Sequence, residues 1–209
     1  MIYLIGGSPR CGKTTVAEKL ATKTHIPWFP ADYLGAAVFQ YLTPEQQDDM
    51  FPISRVRDEK PGMDYLYTKH TPEEVAGFYR TQAESLWPGL RAFIKYAAMD
   101  EQAFILEGYQ IWPDLLDELA DETKKFIKPI FLYKADLAQI EAGFKKSANP
   151  GDWLLERTKE EATFAKIALM VAIYGKHTIK EAEKHHMPVF NMDGDFEENI
   201  EKIVALITE

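Results

Sequence analysis

The sequence predicts a single α/β domain in which a parallel sheet is covered by helices on both faces. Five short apolar runs, at 2–5, 26–29, 103–106, 129–133 and 188–192, alternate with helical patterns. Short continuous runs suit strands buried on both faces, and their alternation with helices produces a right-handed, doubly wound sheet. Directly after the first run stands Gly7-Ser8-Pro9-Arg10-Cys11-Gly12-Lys13-Thr14, a glycine-bounded turn leading into a helical stretch. A chain of 209 residues with 46% hydrophobic content is long enough for one substantial core and short for two.

Taken in order, the first run, Ile2-Tyr3-Leu4-Ile5, feeds an octapeptide that fits G-x-x-x-x-G-K-[ST]. Glycines let such a turn adopt positive φ and approach a polyphosphate closely, while successive N–H groups point inward as an anion nest. Lys13 adds a mobile charge for β- and γ-phosphates, and Thr14 offers a hydroxyl to Mg²⁺. The helix expected from 14 to about 23 turns the positive end of its dipole toward the same anion. Strand, loop and helix in this order predict phosphate binding, with Gly7, Arg10, Cys11, Gly12, Lys13, Thr14 and Thr15 as the contact set.

The second run ends just before Asp32. A long insertion, about 43–100, then separates it from the third. Pro44, Pro52, Pro61 and Pro72 interrupt its first part, and a helix is expected over 72–99. The third run closes on Glu107-Gly108-Tyr109. After the fourth comes a second insertion, about 137–186: a helix from 137, a break at Ser147-Ala148-Asn149-Pro150-Gly151, and a long helical stretch from 152 to about 186. Insertions of this kind carry substrate-binding or lid roles more often than core packing. Nothing in the composition divides the chain, so 1–209 is read as one domain.

Charge and cysteine usage narrow the class. A net charge of −9 without a Lys/Arg-dense stripe argues against nucleic-acid binding, which needs a basic face. Cys11 is the only cysteine, which excludes an intrachain disulfide and suits a reducing compartment. The longest apolar run, 167–174, is far too short to span a bilayer, and a first strand at residue 2 leaves no room for a secretory leader. The expectation is a cytoplasmic protein without membrane partners, either a monomer or a homodimer.

In an open parallel sheet ligands gather at the carboxyl ends of the strands, which places Asp32 and Glu107 at one crevice with the glycine loop. Asp32 is the candidate to hold or deprotonate a substrate hydroxyl; its alternative role is a helix N-cap. Glu107 ends an apolar strand as a Walker B acid does, reaching Mg²⁺ directly or through water, or orienting substrate. Tyr109 lies beside it as a substrate-binding candidate. Arg55, Arg57 and Arg80 are candidates for an anionic substrate because the guanidinium fork engages phosphate or carboxylate bidentately; Lys60, Lys69 and Arg91 lie nearby. Lys145, Lys146 and Arg157 flank the Asn-Pro-Gly turn as candidate lid cations. His185-His186 is read as a helix C-terminus favoured by the dipole rather than as a metal site.

The order of these pieces resembles the adenylate, shikimate and gluconate kinase group of P-loop kinases over nearly the whole chain. Ile26-Pro27 with Asp32-Tyr33-Leu34-Gly35-Ala36-Ala37-Val38 is similar to the second strand and substrate helix of adenylate kinases, Glu107-Gly108-Tyr109 to their Asp-Gly-Phe, and Met192-Asp193-Gly194 to the segment near the adenine. The resemblance implies a three-layer P-loop fold with a five-stranded sheet of order 2-3-1-4-5, an ATP–Mg²⁺ donor, a small-molecule acceptor and a mobile lid. The Gly-Gly-Ser-Pro-Arg and Ile-Leu-Glu-Gly motifs are also similar to 2-phosphoglycerate kinase-like proteins. Gly35 and Ile111 stand where nucleoside monophosphate kinases carry two phosphate-binding arginines, which turns the expectation toward another acceptor. Nucleoside monophosphate kinase, nucleotide-hydrolysing switch and non-catalytic ATP-binding regulator remain as alternatives. For the switch, Tyr133-Lys134-Ala135-Asp136 is superficially similar to the Asn-Lys-x-Asp guanine reader, with Tyr133 in place of the Asn.

Overall fold

A computed structural model describes residues 1–53, 62–145 and 153–208, leaving out the side chains of Lys145 and Trp153. Strands β1 (Ile2–Gly7), β2 (Trp28–Pro30), β3 (Phe104–Glu107), β4 (Ile127–Tyr133) and β5 (Val189–Asn191) form one sheet in the order β2-β3-β1-β4-β5. Every neighbouring pair is parallel, as the alternating sequence predicts. The second strand starts later than the apolar run suggests, because the Ile26 N–H turns to the Thr24 hydroxyl at 3.4 Å and pairing with β3 begins only at the Pro27 carbonyl.

The described helices are α1 (Lys13–Thr24), α2 (Ala31–Phe39), α3 (Pro44–Met50), α4 (Met63–Lys69), α5 (Pro72–Met99), α6 (Pro113–Asp117), α7 (Asp121–Lys124), α8 (Leu137–Lys145), α9 (Trp153–Glu156), α10 (Glu161–Lys184) and α11 (Phe196–Thr208). They make two layers, and the pleat of the sheet decides which core each residue enters. Ile5, Ile105, Ile130 and Leu132 pack with Val16, Ala17 and Leu20 of α1 and with Ile200, Ile203, Val204 and Ile207 of α11. Alternate positions Ile2, Leu4, Leu106 and Phe131 face the other way, onto the larger core under α5 and α10.

Helix α5 spans Pro72–Met99 because Thr71 and Glu74 close a reciprocal capping box over Pro72 at its first turn. Pro88 lies inside it, yet the helix continues, held by Val75, Tyr79, Ala83, Leu86, Leu90 and Ile94 in the core. The second insertion departs from expectation. Its helical stretch is broken at 157–160, and the long helix begins at Glu161. The cause is tertiary: Arg157 gives its carbonyl to the Met63 N–H at 3.1 Å, and Asp64 accepts from the N–H groups of Lys159 (2.8 Å) and Glu160 (3.3 Å). These contacts satisfy the backbone outside a helix and tie the two insertions together.

Candidate functional site

Strands β1 and β3 are neighbours whose connections leave in opposite directions, to β2 and to β4, so the crevice at their carboxyl ends is the switch point of the sheet. The glycine loop fills that crevice. Gly7 and Gly12 have φ of 122° and 99°, and Arg10 joins them in the left-handed region at 64°. A Cβ on Gly7 would run into the Leu132 carbonyl, and one on Gly12 would lie 2.6 Å from the Phe196 ring. Only glycine meets both demands.

The site fits a polyphosphate on its own terms. Helix α1 begins at Lys13 with no side-chain cap and no acidic residue in its first turn, which leaves the dipole and the first N–H groups for an anion. The Ser8 hydroxyl is buried in the loop with no hydrogen-bond partner among the described residues. Lys13, almost wholly buried, curls its ammonium back to the Ser8 carbonyl at 2.7 Å. Cys11 is fully buried with its sulfur 4.0 Å from that ammonium. Arg10 holds its guanidinium 5.8 Å from the centre of the Phe144 ring on α8, and Thr15 is half-buried on α1.

The loop meets β3 through one contact. Thr14 donates its hydroxyl to Glu107 Oε1 at 3.0 Å. Burial pushes the Glu107 carboxyl above its ordinary range, opposed by the Lys13 charge and the Thr14 hydrogen bond and assisted by the nearby carboxylates of Asp32 and Glu18. A hydroxyl and one carboxylate converge here beside the glycine loop, and both are oxygen donors of the kind that Mg²⁺ takes. Among the described residues no group of three or more His, Cys, Asp or Glu side chains is placed to hold a metal ion.

Asp32 stands at the first turn of α2, two residues beyond Pro30, which pairs in register with Glu107. The structure therefore brings Asp32 to the same edge as Lys13, Thr14 and Glu107. Its carboxylate accepts from Gln110 Nε2 at 2.7 Å. Gln110 is 2% exposed and went unrecognised in the sequence, where a polar residue carries no mark of burial.

Next to Gln110 in the chain, Tyr109 belongs to a polar–aromatic cluster. Gln82 donates to the Tyr109 hydroxyl at 3.0 Å and accepts from the Ile53 N–H at 2.9 Å. Tyr174, on α10, donates to the Tyr109 carbonyl at 2.6 Å and accepts from Trp112 Nε1. Tyr79 meets the Tyr109 ring edge-on at 5.0 Å.

Arg80 packs against this cluster through the Trp112 ring. Its guanidinium forks onto Asp114 at 2.9 and 2.6 Å, reaches Glu84 at 2.8 Å, and lies 4.4 Å from the centre of the Trp112 ring. Burial lowers its basicity, but the two carboxylates outweigh that effect and raise it. Arg91 lines a different groove, of about 410 Å³, with Pro88, Lys95 and Glu118. Lys69 sits over the Tyr65 ring at 5.7 Å. Arg157 is anchored through its backbone to Met63. Arg55, Arg57, Lys60, Lys146 and the Asn149-Pro150-Gly151 turn lie outside the described residues, as does the Lys145 side chain.

Asp136, in the stretch similar to a guanine reader, accepts from the Gln139 N–H at 3.1 Å and from Gln139 Nε2 at 3.0 Å, and so caps α8. Lys134 lies 5.1 Å from the centre of the Phe196 ring. Asp193 accepts from the N–H groups of Ala135 and Asp136 at 3.0 and 3.2 Å, which joins the ends of β4 and β5 beside Gly12.

Neither a family model nor a curated protein sequence matches the chain. Solved structures do match at near-full length. A gluconokinase from Sinorhizobium meliloti superposes with a TM-score of 0.55 at 12% identity, covering 99% of this chain and 90% of its own. A sugar kinase from Janibacter sp. gives 0.54 at 15% identity, covering 100% and 94%. A putative kinase from Chloroflexus aurantiacus gives 0.50 at 12%, covering 99% and 95%. With the strand order and the glycine loop already in place, these likenesses show that the chain has the three-layer P-loop fold found in small-molecule kinases.

Proposed function

We propose that the protein is an ATP- and Mg²⁺-dependent kinase that transfers the γ-phosphoryl group to a small hydroxylated or phosphorylated metabolite. The observation that carries this is the convergence of Lys13, Thr14, Glu107 and Asp32 on one edge of the sheet, with Thr14 and Glu107 in direct contact. The loop amides and Lys13 hold the β- and γ-phosphates, and Lys13 exchanges its Ser8 contact for phosphate oxygen. Thr14 and Glu107 would hold Mg²⁺, which would supply charge neutralisation on those phosphates. Asp32 receives the acceptor on the opposite side and takes its proton. Within the insertion about 137–186, α10 packs into the larger core, so a lid that excludes water over the site would come from the stretch before it.

Two features favour an acceptor other than a nucleoside monophosphate. Gly35 is buried on α2, where a Cβ would already lie 3.6 Å from Leu86, and Ile111 is 1% exposed. Both positions that carry phosphate-binding arginines in nucleoside monophosphate kinases are core positions here. The use of Asp136 as a helix cap gives the switch reading no free guanine-reading carboxylate.

Thermal shift with ATP, GTP and Mg²⁺, followed by an acceptor panel read as ADP release, tests the proposal. The expected result is stabilisation by ATP–Mg²⁺ and acceptor-stimulated turnover. Absence of stabilisation by either nucleotide refutes nucleotide binding. GTP preference with slow acceptor-independent hydrolysis supports the switch instead.

A further inference from the structure

Asp32 and Gln110 form a contact whose cost shows what it is for. A carboxylate only accepts hydrogen bonds, so the amide must present its NH₂ group to Asp32, and Gln110 Oε1 is left buried without a donor among the described residues. A native fold leaves a buried carbonyl unpartnered only rarely. The geometry around it is equally specific. A Cβ at residue 108 would collide with Gln110 Oε1 and lie 2.8 Å from the Ala31 Cβ, so Gly108 keeps open the space through which the Gln110 side chain reaches α2.

We propose that Gln110 is a positioning residue that holds the Asp32 carboxylate for an alcohol nucleophile, so that the acceptor reacts through a neutral hydroxyl and not through a phosphate. The inference rests on the kinase reading and narrows its acceptor. A phosphate nucleophile is already anionic, needs no base, and is recruited by cations. An alcohol must lose a proton as it attacks, and needs an acceptor for that proton within hydrogen-bond reach. Among the described residues the acceptor side offers Asp32, whose carboxylate with that of Glu18 makes Glu107 harder to ionise, and a neutral amide; Arg55, Arg57 and Lys60 lie outside those residues. Arg80 is committed to Asp114 and Glu84.

In the transfer, the alcohol oxygen bonds to Pγ and the bond from Pγ to the β–γ bridging oxygen breaks. The electron pair stays on the ADP oxygen, and the hydroxyl proton passes to Asp32. The products are a phosphate monoester and ADP.

The test uses the full chain with ATP–Mg²⁺ and two acceptor panels: sugars, polyols and sugar acids in one, and AMP, CMP and UMP in the other. Stimulation of ADP release by a member of the first panel alone is expected, and stimulation by a monophosphate alone overturns the acceptor class. Gln110→Met keeps the packing volume and removes the hydrogen bond. It should lower kcat for the alcohol about 100-fold, the lower end of the contribution from a positioned base, with the KM for ATP unchanged. Combined with Asp32→Asn it should add little, because the two residues act as one unit. An unchanged kcat, or full additivity, removes the positioning role, whereas equal losses in kcat, ATP affinity and melting temperature mark a merely structural one. If neither panel stimulates wild type, the kinase reading itself fails. Crystal structures of wild type and Gln110→Met then decide the contact, since an Asp32 carboxylate that keeps its place without Gln110 overturns it.

Discussion

Tyr174→Phe removes one oxygen and with it two hydrogen bonds. The Tyr174 hydroxyl, in a side chain 1% exposed, accepts from Trp112 Nε1 and donates to the Tyr109 carbonyl at 2.6 Å. The ring itself is retained, so its packing against Tyr79 and Trp112 should persist. The Trp112 contact is buried and its N–H bears the full desolvation cost, while the Tyr109 contact is half-buried and recovers part of its loss from water. At about 1–3 kcal/mol for the buried Trp112 N–H left unsatisfied and about 1 kcal/mol for the lost Tyr109 hydrogen bond, the sum is roughly 2–4 kcal/mol. For a chain of this size that corresponds to roughly 4–16 °C in Tm. Urea denaturation monitored by tryptophan fluorescence measures it directly, with an unchanged m-value as the sign that stability alone has altered. Because Tyr109 precedes Gln110, a relaxed Tyr109 carbonyl should also loosen the Asp32 contact and lower turnover. A loss below about 0.5 kcal/mol, the range of ordinary surface substitutions, would refute the claim that these groups depend on Tyr174.

Other perturbations separate the parts of the site. Lys13→Met should abolish ATP-dependent thermal stabilisation while leaving the melting temperature of the free protein near wild type; retained stabilisation by ATP would remove Lys13 from phosphate binding. Glu107→Gln should raise the Mg²⁺ concentration needed for half-maximal turnover, about tenfold or more, and an unchanged Mg²⁺ titration would assign Glu107 to another role.

A further test uses pH. Burial pushes the Asp114 carboxyl up, but the Arg80 hydrogen bonds and charge outweigh it and hold it below the usual range. A group lowered in the folded state contributes stability above its unfolded value, near 3.9, and loses it as pH falls through the lower folded value. Wild type should therefore lose stability on acidification below about pH 4 more steeply than Asp114→Asn, as followed by thermal melts across pH. Parallel curves would show that the Arg80–Asp114 pair is not linked to folding.

Much of the fold was legible because the demands of each element are local. Gly7, Gly12 and Lys13 mark the loop since positive φ and close phosphate approach select glycine at those positions. Thr71, Pro72 and Glu74 mark the start of α5 for the same kind of reason. The break at 157–160 was not legible, because the residues that satisfy its backbone, Met63 and Asp64, come from the other insertion. Gln110 and Tyr174 were missed for a related reason: in sequence a polar residue looks solvated, and only its surroundings reveal that it is buried.

The sequence by itself determined that this chain has a glycine loop of the P-loop pattern at the end of a central parallel strand, with Asp32 and Glu107 at neighbouring strand ends. Tertiary structure alone decided how those groups are paired. The Thr14–Glu107 contact joins residues 93 positions apart, and the Asp32–Gln110 contact joins residues 78 apart. Arg80, read as a substrate ligand from its charge, has its guanidinium on Asp114, 34 positions away. Backbone conformation answers to adjacent residues, so it can be read along the chain. The partner of a polar side chain is set by which distant segments the sheet order brings to one edge, and it becomes visible only once the strands are assembled.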